Sequence, residues 1–311
     1  MKTSIEHVYH RTRNGGLIFY SVRDFLVYFT LFCTLARRYK VVVLGLCLMM
    51  DHIHGLCVLD SHRQLSALMR DCASRYARAF NMSSQRKGQV FDKSFGSAVK
   101  SGSKKIRTTI AYLYNNPVEK KLCRKAEEYK WNFLAYYGNL HPFSKPLSYR
   151  SSRRTVQRAI KEIDVARADD KPLSYSFLSR VMGNMTPDER LQLTDYIISV
   201  YNCIDYAALF SYYNSVDDFL LAVHSNTGSE YDIKEISTSG DDKIYLKMTR
   251  SLAEEYGINN PKSLLEKSKA EKIAIAEGLS AHTLASHWQI SKYLWLNNKR
   301  VTKSRPLKRR T

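Results

Sequence analysis

Two imidazoles stand one residue apart inside an apolar run, CLMMDHIHGLCVL, over residues 47–59. On a β-strand the side chains at i and i+2 share a face, so His52 and His54 project together while Ile53 and Gly55 face away. Two neutral imidazoles on one rigid face make a pair of ligands for a divalent cation. For an isolated His-x-His, a pair of hydrogen-bonded core histidines is the commoner outcome. A second polar set lies further on, in IAYLYNNPVEK. Tyr112 and Asn116 are four residues apart and share a helical face. That places a phenol, which can act as a nucleophile, beside a carboxamide oxygen that can serve as a third ligand. Tyr114 points about half a turn away and is assigned to packing. The chemistry needs both sets together, because neither spacing is specific alone.

The elements that must bring them together can be read from periodicity. The stretch IEHVYHRTRNGGLIFYS has extended pieces around the Asn14-Gly15-Gly16 turn signal. RDFLVYFTLFCTLARRY predicts a helix from about Val22 to Arg38. KVVVLGLCLMM and HIHGLCVL predict two strands, RQLSALMRDCASRYARAF a helix, and GQVFDKSFGSAVK a strand. KKIRTTIAYLYNNPVEKK predicts a helix whose regular course ends near Asn116, because Pro117 removes a backbone donor. The order β, α, β, β, α, β, α predicts an α+β, ferredoxin-like arrangement: an antiparallel sheet with helices on one face. Downstream, RTVQRAIKEIDVAR and PDERLQLTDYIISVYNCIDYAALF predict a mostly α-helical remainder. The expected division is residues 1–145, then an acidic helical connecting or dimerising region over 146–260, then a basic helical region over 261–311.

Charge narrows the partner. The chain of 311 residues carries a net +20. It is distributed as +19 over residues 1–160, −8 over 161–260 and +9 over 261–311. Two basic surfaces separated by an acidic segment suit a polyanion, and nucleic acid above others, because each neutralised phosphate releases condensed counterions. The six cysteines form no CxxC pair and no Cys/His zinc spacing, so neither a disulfide framework nor a structural zinc is expected. No stretch reads as a signal peptide, and the longest apolar run, VVVLGLCLMM, is too short to span a bilayer. The expectation is a cytoplasmic, nucleoid-associated protein with no membrane partner.

CLMMDHIHGLCVL, GQVFDKSFGSAVK and YLYNNPVEKKLCRKAEEYKWNFLAYYG, in that order over about residues 5–140, resemble the single-tyrosine HUH transposases, and more narrowly their REP-associated branch. The resemblance implies a metal-dependent single-stranded DNA endonuclease and strand transferase. It assigns His52, His54 and Asn116 to a Mg²⁺ or Mn²⁺ ion and Tyr112 to the nucleophile that forms a 5′-phosphotyrosine. Its implied partner is single-stranded DNA with hairpin or repeat ends, and a homodimer is left open. Gly55 departs from the bulkier residues that many relatives carry after the second histidine, without touching the ligands.

Candidate DNA contacts beside the site are Arg11, Arg13, Lys93, Lys100, Lys104, Lys105 and Arg107. Phe91, Phe95 and Trp131 could stack on bases, although core packing is the better reading for each. His7 and His10 are taken as structural. At the carboxyl end two helix-turn-helix registers compete. QISKYLWLNNKRVTKSR places a recognition helix near Asn298–Lys303, with Lys299, Arg300 and Lys303 on DNA. AIAEGLSAHTLASHW places Gly278 at the turn and Ser280 at the helix start. Two other functions stand beside the transposase: a DNA-binding protein or repressor whose histidines are inert, and a replication-type HUH nickase.

Overall fold

A computed structural model describes residues 3–225 and 241–296. Its amino-terminal elements are β1 (Ser4–Arg11), α1 (Val22–Arg38), β2 (Val42–Leu48), β3 (His52–Leu59), α2 (His62–Ser83), β4 (Gly96–Lys100) and α3 (Ser103–Glu119). The four strands form an antiparallel sheet in the order β2-β3-β1-β4, so β3 and β1 are central. The fold is α+β, as the alternation predicts.

Helices cover both faces of this sheet rather than one. Ile53, Cys57 and Leu59 join α1 and α2 in one apolar cluster. Leu44, Cys47 and Leu56 join Ile106, Ile110, Leu113 and Tyr114 of α3 in a second. The reason lies in β2 and β3, which are apolar at both alternating positions and would expose a hydrophobic face unless each side were covered. The third helix also departs from expectation, continuing past Asn116 through Pro117 to Glu119. A proline this close to the helix end removes only its own bond to the carbonyl of Leu113. The final turn is still closed by Lys120 and Leu122, whose amides donate to the carbonyls of Asn116 and Pro117 at 3.1 and 2.9 Å. The strand expected across residues 88–100 is reduced to β4, with a single bridge between Thr12 and Phe91 before it.

The rest of the described chain is helical. Helices α4 (Arg154–Ala168), α5 (Tyr175–Met182) and α6 (Pro187–Tyr201) extend the cluster on the α1 side. Helices α7 (Tyr206–Phe210) and α8 (Val216–His224) close on α3, where Phe219 meets Tyr114 edge-on at 5.7 Å. Helices α9 (Lys243–Tyr256), α10 (Lys269–His282) and α11 (His287–Tyr293) follow. Hydrogen bonds tie this last group to the amino-terminal elements. Lys262 Nζ donates to Asp24 Oδ1 at 2.7 Å, Tyr20 Oη to the Tyr293 carbonyl at 2.6 Å, and Trp295 Nε1 to the Leu17 carbonyl at 2.8 Å. Asp24 does double duty, since its Oδ2 also caps α1 by accepting from the amides of Tyr20 and Ser21.

Gly278 is not a turn residue. It lies inside α10, where a Cβ would sit 1.7 Å from the Tyr256 hydroxyl, so the glycine serves close helix approach. The AIAEGLSAHTLASHW register therefore fails. The recognition helix of the other register falls outside the described residues, as do Lys299, Arg300 and Lys303.

Candidate active site

Strand register puts the histidines opposite two residues of β1: His54 pairs with Tyr9 and His52 with Arg11. All four share one sheet face, and α3 lies across it. The His52 and His54 ring centroids are 4.8 Å apart at 84°. The Tyr112 ring stands perpendicular to His54 at 5.8 Å and edge-on to His7 at 6.1 Å. Asn116 Nδ2 lies 3.3 Å from His54 Nε2. The two polar sets, 62 residues apart in sequence, thus meet. Tyr114 does not join them. Its hydroxyl donates to the Leu44 carbonyl at 3.1 Å, and burial pushes its pKa well up.

Behind the pair stands a layer of supporting groups. His54 Nδ1 lies 3.2 Å from His7 Nε2, within hydrogen-bond reach. Asp51 Oδ1 lies 2.5 Å from His52 Nδ1, and Asp51 Oδ2 accepts from Lys292 Nζ. Each imidazole therefore has its Nδ1 occupied, the usual way to fix a ligating histidine's tautomer and ring angle. Burial, reinforced by the neighbouring His52 and His7, lowers the pKa of His54 well below the ordinary histidine value, so it stays neutral. Burial alone would raise the Asp51 carboxyl, but His52 and Lys292 outweigh it and hold it well below the carboxylate range. His7, Asp51 and Lys292 were not assigned from sequence. His7 had a signal, since alternation on β1 puts it on the face of Tyr9 and Arg11. Lys292 had none.

The donor set fits a divalent cation in composition. Among the described residues no three His, Cys, Asp or Glu side chains gather for a metal, so the set would be two imidazoles and an amide. Asn116 Oδ1 is buried without a hydrogen-bond partner, and a buried carbonyl oxygen in that condition is costly unless something binds it. A half-turn of the amide exchanges Nδ2 for Oδ1 beside His54 Nε2. Carbonyl oxygen suits Mg²⁺ and Mn²⁺, and imidazole nitrogen the softer end of that range. The site is closed: His54, Asn116, Tyr112 and His52 are 0, 2, 4 and 6% exposed.

The expected DNA contacts divide. Arg13, Lys93, Lys104 and Lys105 are exposed. Arg11 lies over the Tyr9 ring at 5.0 Å. Lys100 is buried at the end of the edge strand β4, opposite Ile5 of β1. Arg107 is spent on α8, with Nη2 3.3 Å from Asp218 and its guanidinium over the Tyr213 ring at 4.8 Å. Trp131 stacks on Phe25 at 4.3 Å, Phe91 on His10 at 4.6 Å, and both are core. Phe95 is half-buried. His10 is structural as expected, bonded to the Asp92 carbonyl and held below its ordinary pKa by burial.

The structure thus places a His-x-His strand at the centre of an antiparallel sheet, faced by a helix carrying tyrosine and asparagine. Residues 17–116 match the family model described as "Transposase IS200 like", a span that contains both histidines, the tyrosine and, at its last position, Asn116. No curated protein matches the chain. A solved structure described as a REP-associated tyrosine transposase bound to a REP hairpin is similar at 13% identity and a TM-score of 0.38, over 43% of this chain and 79% of that one. Among the described residues no helix is long and apolar enough to cross a membrane.

Proposed function

We propose that the chain is a metal-dependent single-stranded DNA endonuclease and strand transferase that cleaves through Tyr112, at ends associated with hairpins or repeats. The observation that carries this reading is the Tyr112 ring against His54, with the Asn116 amide on the same imidazole. His52, His54 and Asn116 would hold a Mg²⁺ or Mn²⁺ ion, which when bound polarises a phosphodiester. The protein's own groups do the rest. In this reading Tyr112 of α3 supplies the oxygen for in-line attack. A bond forms from that oxygen to phosphorus as the bond to the 3′ oxygen breaks. Tyr112 gives up its phenol proton to solvent as it attacks, and the departing 3′ oxygen takes one up, so the products are a 5′-phosphotyrosine and a 3′-hydroxyl. The covalent intermediate conserves the phosphodiester bond, so a 3′-hydroxyl can reverse the step and rejoin DNA without external energy. Lys104 and Lys105 support an anionic substrate. They sit exposed in the first turn of α3, a turn that contains no acidic residue, where cations oppose the helix dipole by about 0.3–1 kcal/mol.

The test is incubation with hairpin-tailed single-stranded oligonucleotides and Mg²⁺ or Mn²⁺, followed by denaturing gels. A covalent protein–DNA band is expected from the wild type, none from Tyr112→Phe, and a retained band from Tyr114→Phe. A band that survives Tyr112→Phe but vanishes in Tyr114→Phe overturns the nucleophile assignment. The closed site favours a second reading, a DNA-binding protein without cleavage. Specific duplex binding with no adduct on any oligonucleotide would decide for it.

A further inference from the structure

We propose that Lys292, brought in by α11 from far outside the transposase segment, is a positioning residue for His52. It grips one oxygen of Asp51 so that the other fixes the His52 ring as a cation ligand. This rests on the reading that His52 is a ligand.

The chain of contacts is continuous: Lys292 Nζ to Asp51 Oδ2 at 2.5 Å, then Asp51 Oδ1 to His52 Nδ1 at 2.5 Å. Lys292 and Asp51 are 241 positions apart, and the family match ends at residue 116. Lys292 is 6% exposed, and a buried ammonium is tolerated only with a partner. Its surroundings hold it in place. The Trp288 ring lies 4.3 Å from Nζ, and the Gly15 backbone packs on the stem, where a Cβ would stand 3.4 Å from Lys292 Cε. The helix that carries it is itself anchored. Ser286 and Gln289 form its capping box, Tyr20 bonds the Tyr293 carbonyl, and Trp295 bonds Leu17.

The chemistry follows from Asp51 being one residue from the histidine it serves. A carboxylate held only by His52 can rotate and release the ring. Held by an ammonium as well, it has one orientation. His52 then donates from Nδ1, and its Nε2 lone pair is the one left for a cation. A plain docking ion pair between the carboxyl-terminal helices and the sheet would lack this second effect. The two differ in what happens to metal binding.

The experiment measures Mn²⁺ binding to the full chain by electron paramagnetic resonance of free Mn²⁺, with circular dichroism to establish folding. Lys292→Met is expected to weaken Mn²⁺ binding by about 10–100-fold, the usual effect of removing such a supporting partner. The Mn²⁺ midpoint for covalent adduct formation should rise by the same factor, while the yield at saturating Mn²⁺ recovers. Lys292→Arg should retain wild-type affinity. Should Lys292→Met fail to fold, Asp51→Asn carries the test, with the same expected loss. A folded Lys292→Met or Asp51→Asn protein that binds Mn²⁺ as wild type does overturns the inference and leaves the proposed function standing. A wild-type protein that takes up no Mn²⁺ and forms no adduct removes both.

Discussion

His54 is held at both ring nitrogens, by His7 at Nδ1 and by Asn116 at Nε2, and it is fully buried. A ring so placed has little freedom, which suits the ligand role proposed for it. Under that proposal His7, 3.2 Å from His54 Nδ1, is the group that orients the ring. Replacing it by leucine should leave His54 Nδ1 buried without that neighbour and lower Mn²⁺ affinity by about 10–100-fold. Calorimetric titration of Mn²⁺ into folded His7→Leu checks this, and unchanged affinity would return His7 to a packing role. The same scale separates the two tyrosines. Tyr112 and Tyr114 differ by two positions on one helix, which turns one ring to the histidines and the other to the Leu44 carbonyl.

At the scale of elements, α3 and β3 meet because each carries an apolar face that the other covers, and the polar residues ride on the same faces. Helix α3 survives Pro117 for the same reason, packing outweighing one lost bond. Away from the site, α6 shows how a helix start is secured. Glu189 accepts from the Thr186 amide at 2.8 Å and pairs with Arg153, while Thr186 Oγ1 accepts from the Glu189 amide. The Arg153 hydrogen bond, ahead of the Thr186 contacts, lowers the Glu189 pKa from 4.5 to about 2. The folded chain thus binds this proton less readily than the unfolded one. The contribution is complete above pH 4.5 and fades as pH falls towards 2. Glu189→Gln should lower stability near neutrality by less than about 1 kcal/mol, because the pair is exposed. Denaturant titrations across that range should show the difference from wild type shrinking with acid. A constant difference would contradict the assignment.

Over the whole molecule, the carboxyl-terminal helices and the amino-terminal sheet share one apolar cluster that includes Leu17, Phe80, Leu279, Ile290 and Leu294. A close approach is at Gly16, where a Cβ would lie 2.4 Å from the Trp295 ring. Gly16→Ala should therefore force the indole to shift and destabilise the protein by about 1–3 kcal/mol. Thermal unfolding followed by tryptophan fluorescence is the check, and an unchanged melting temperature would mean that the Trp295 contact is not tight. The docking gives the basic carboxyl-terminal region a structural task beside any contact with DNA.

Much of this was legible in the sequence because it is local. Alternation in HIHGLCVL set His52 and His54 on one face, the four-residue step set Tyr112 with Asn116, and apolar periodicity gave the seven-element order of the amino-terminal region. Covering on both sheet faces was also present in β2 and β3, as unbroken apolar runs. What folding in three dimensions decided is pairing between distant parts. Lys100 was buried at a sheet edge, Arg107 was paired with Asp218, His7 was turned onto His54, and Lys292 was carried to Asp51. Periodicity reports which face a residue takes on its own element. It carries no record of which other element arrives there, because that choice is made by the complementary burial of whole faces.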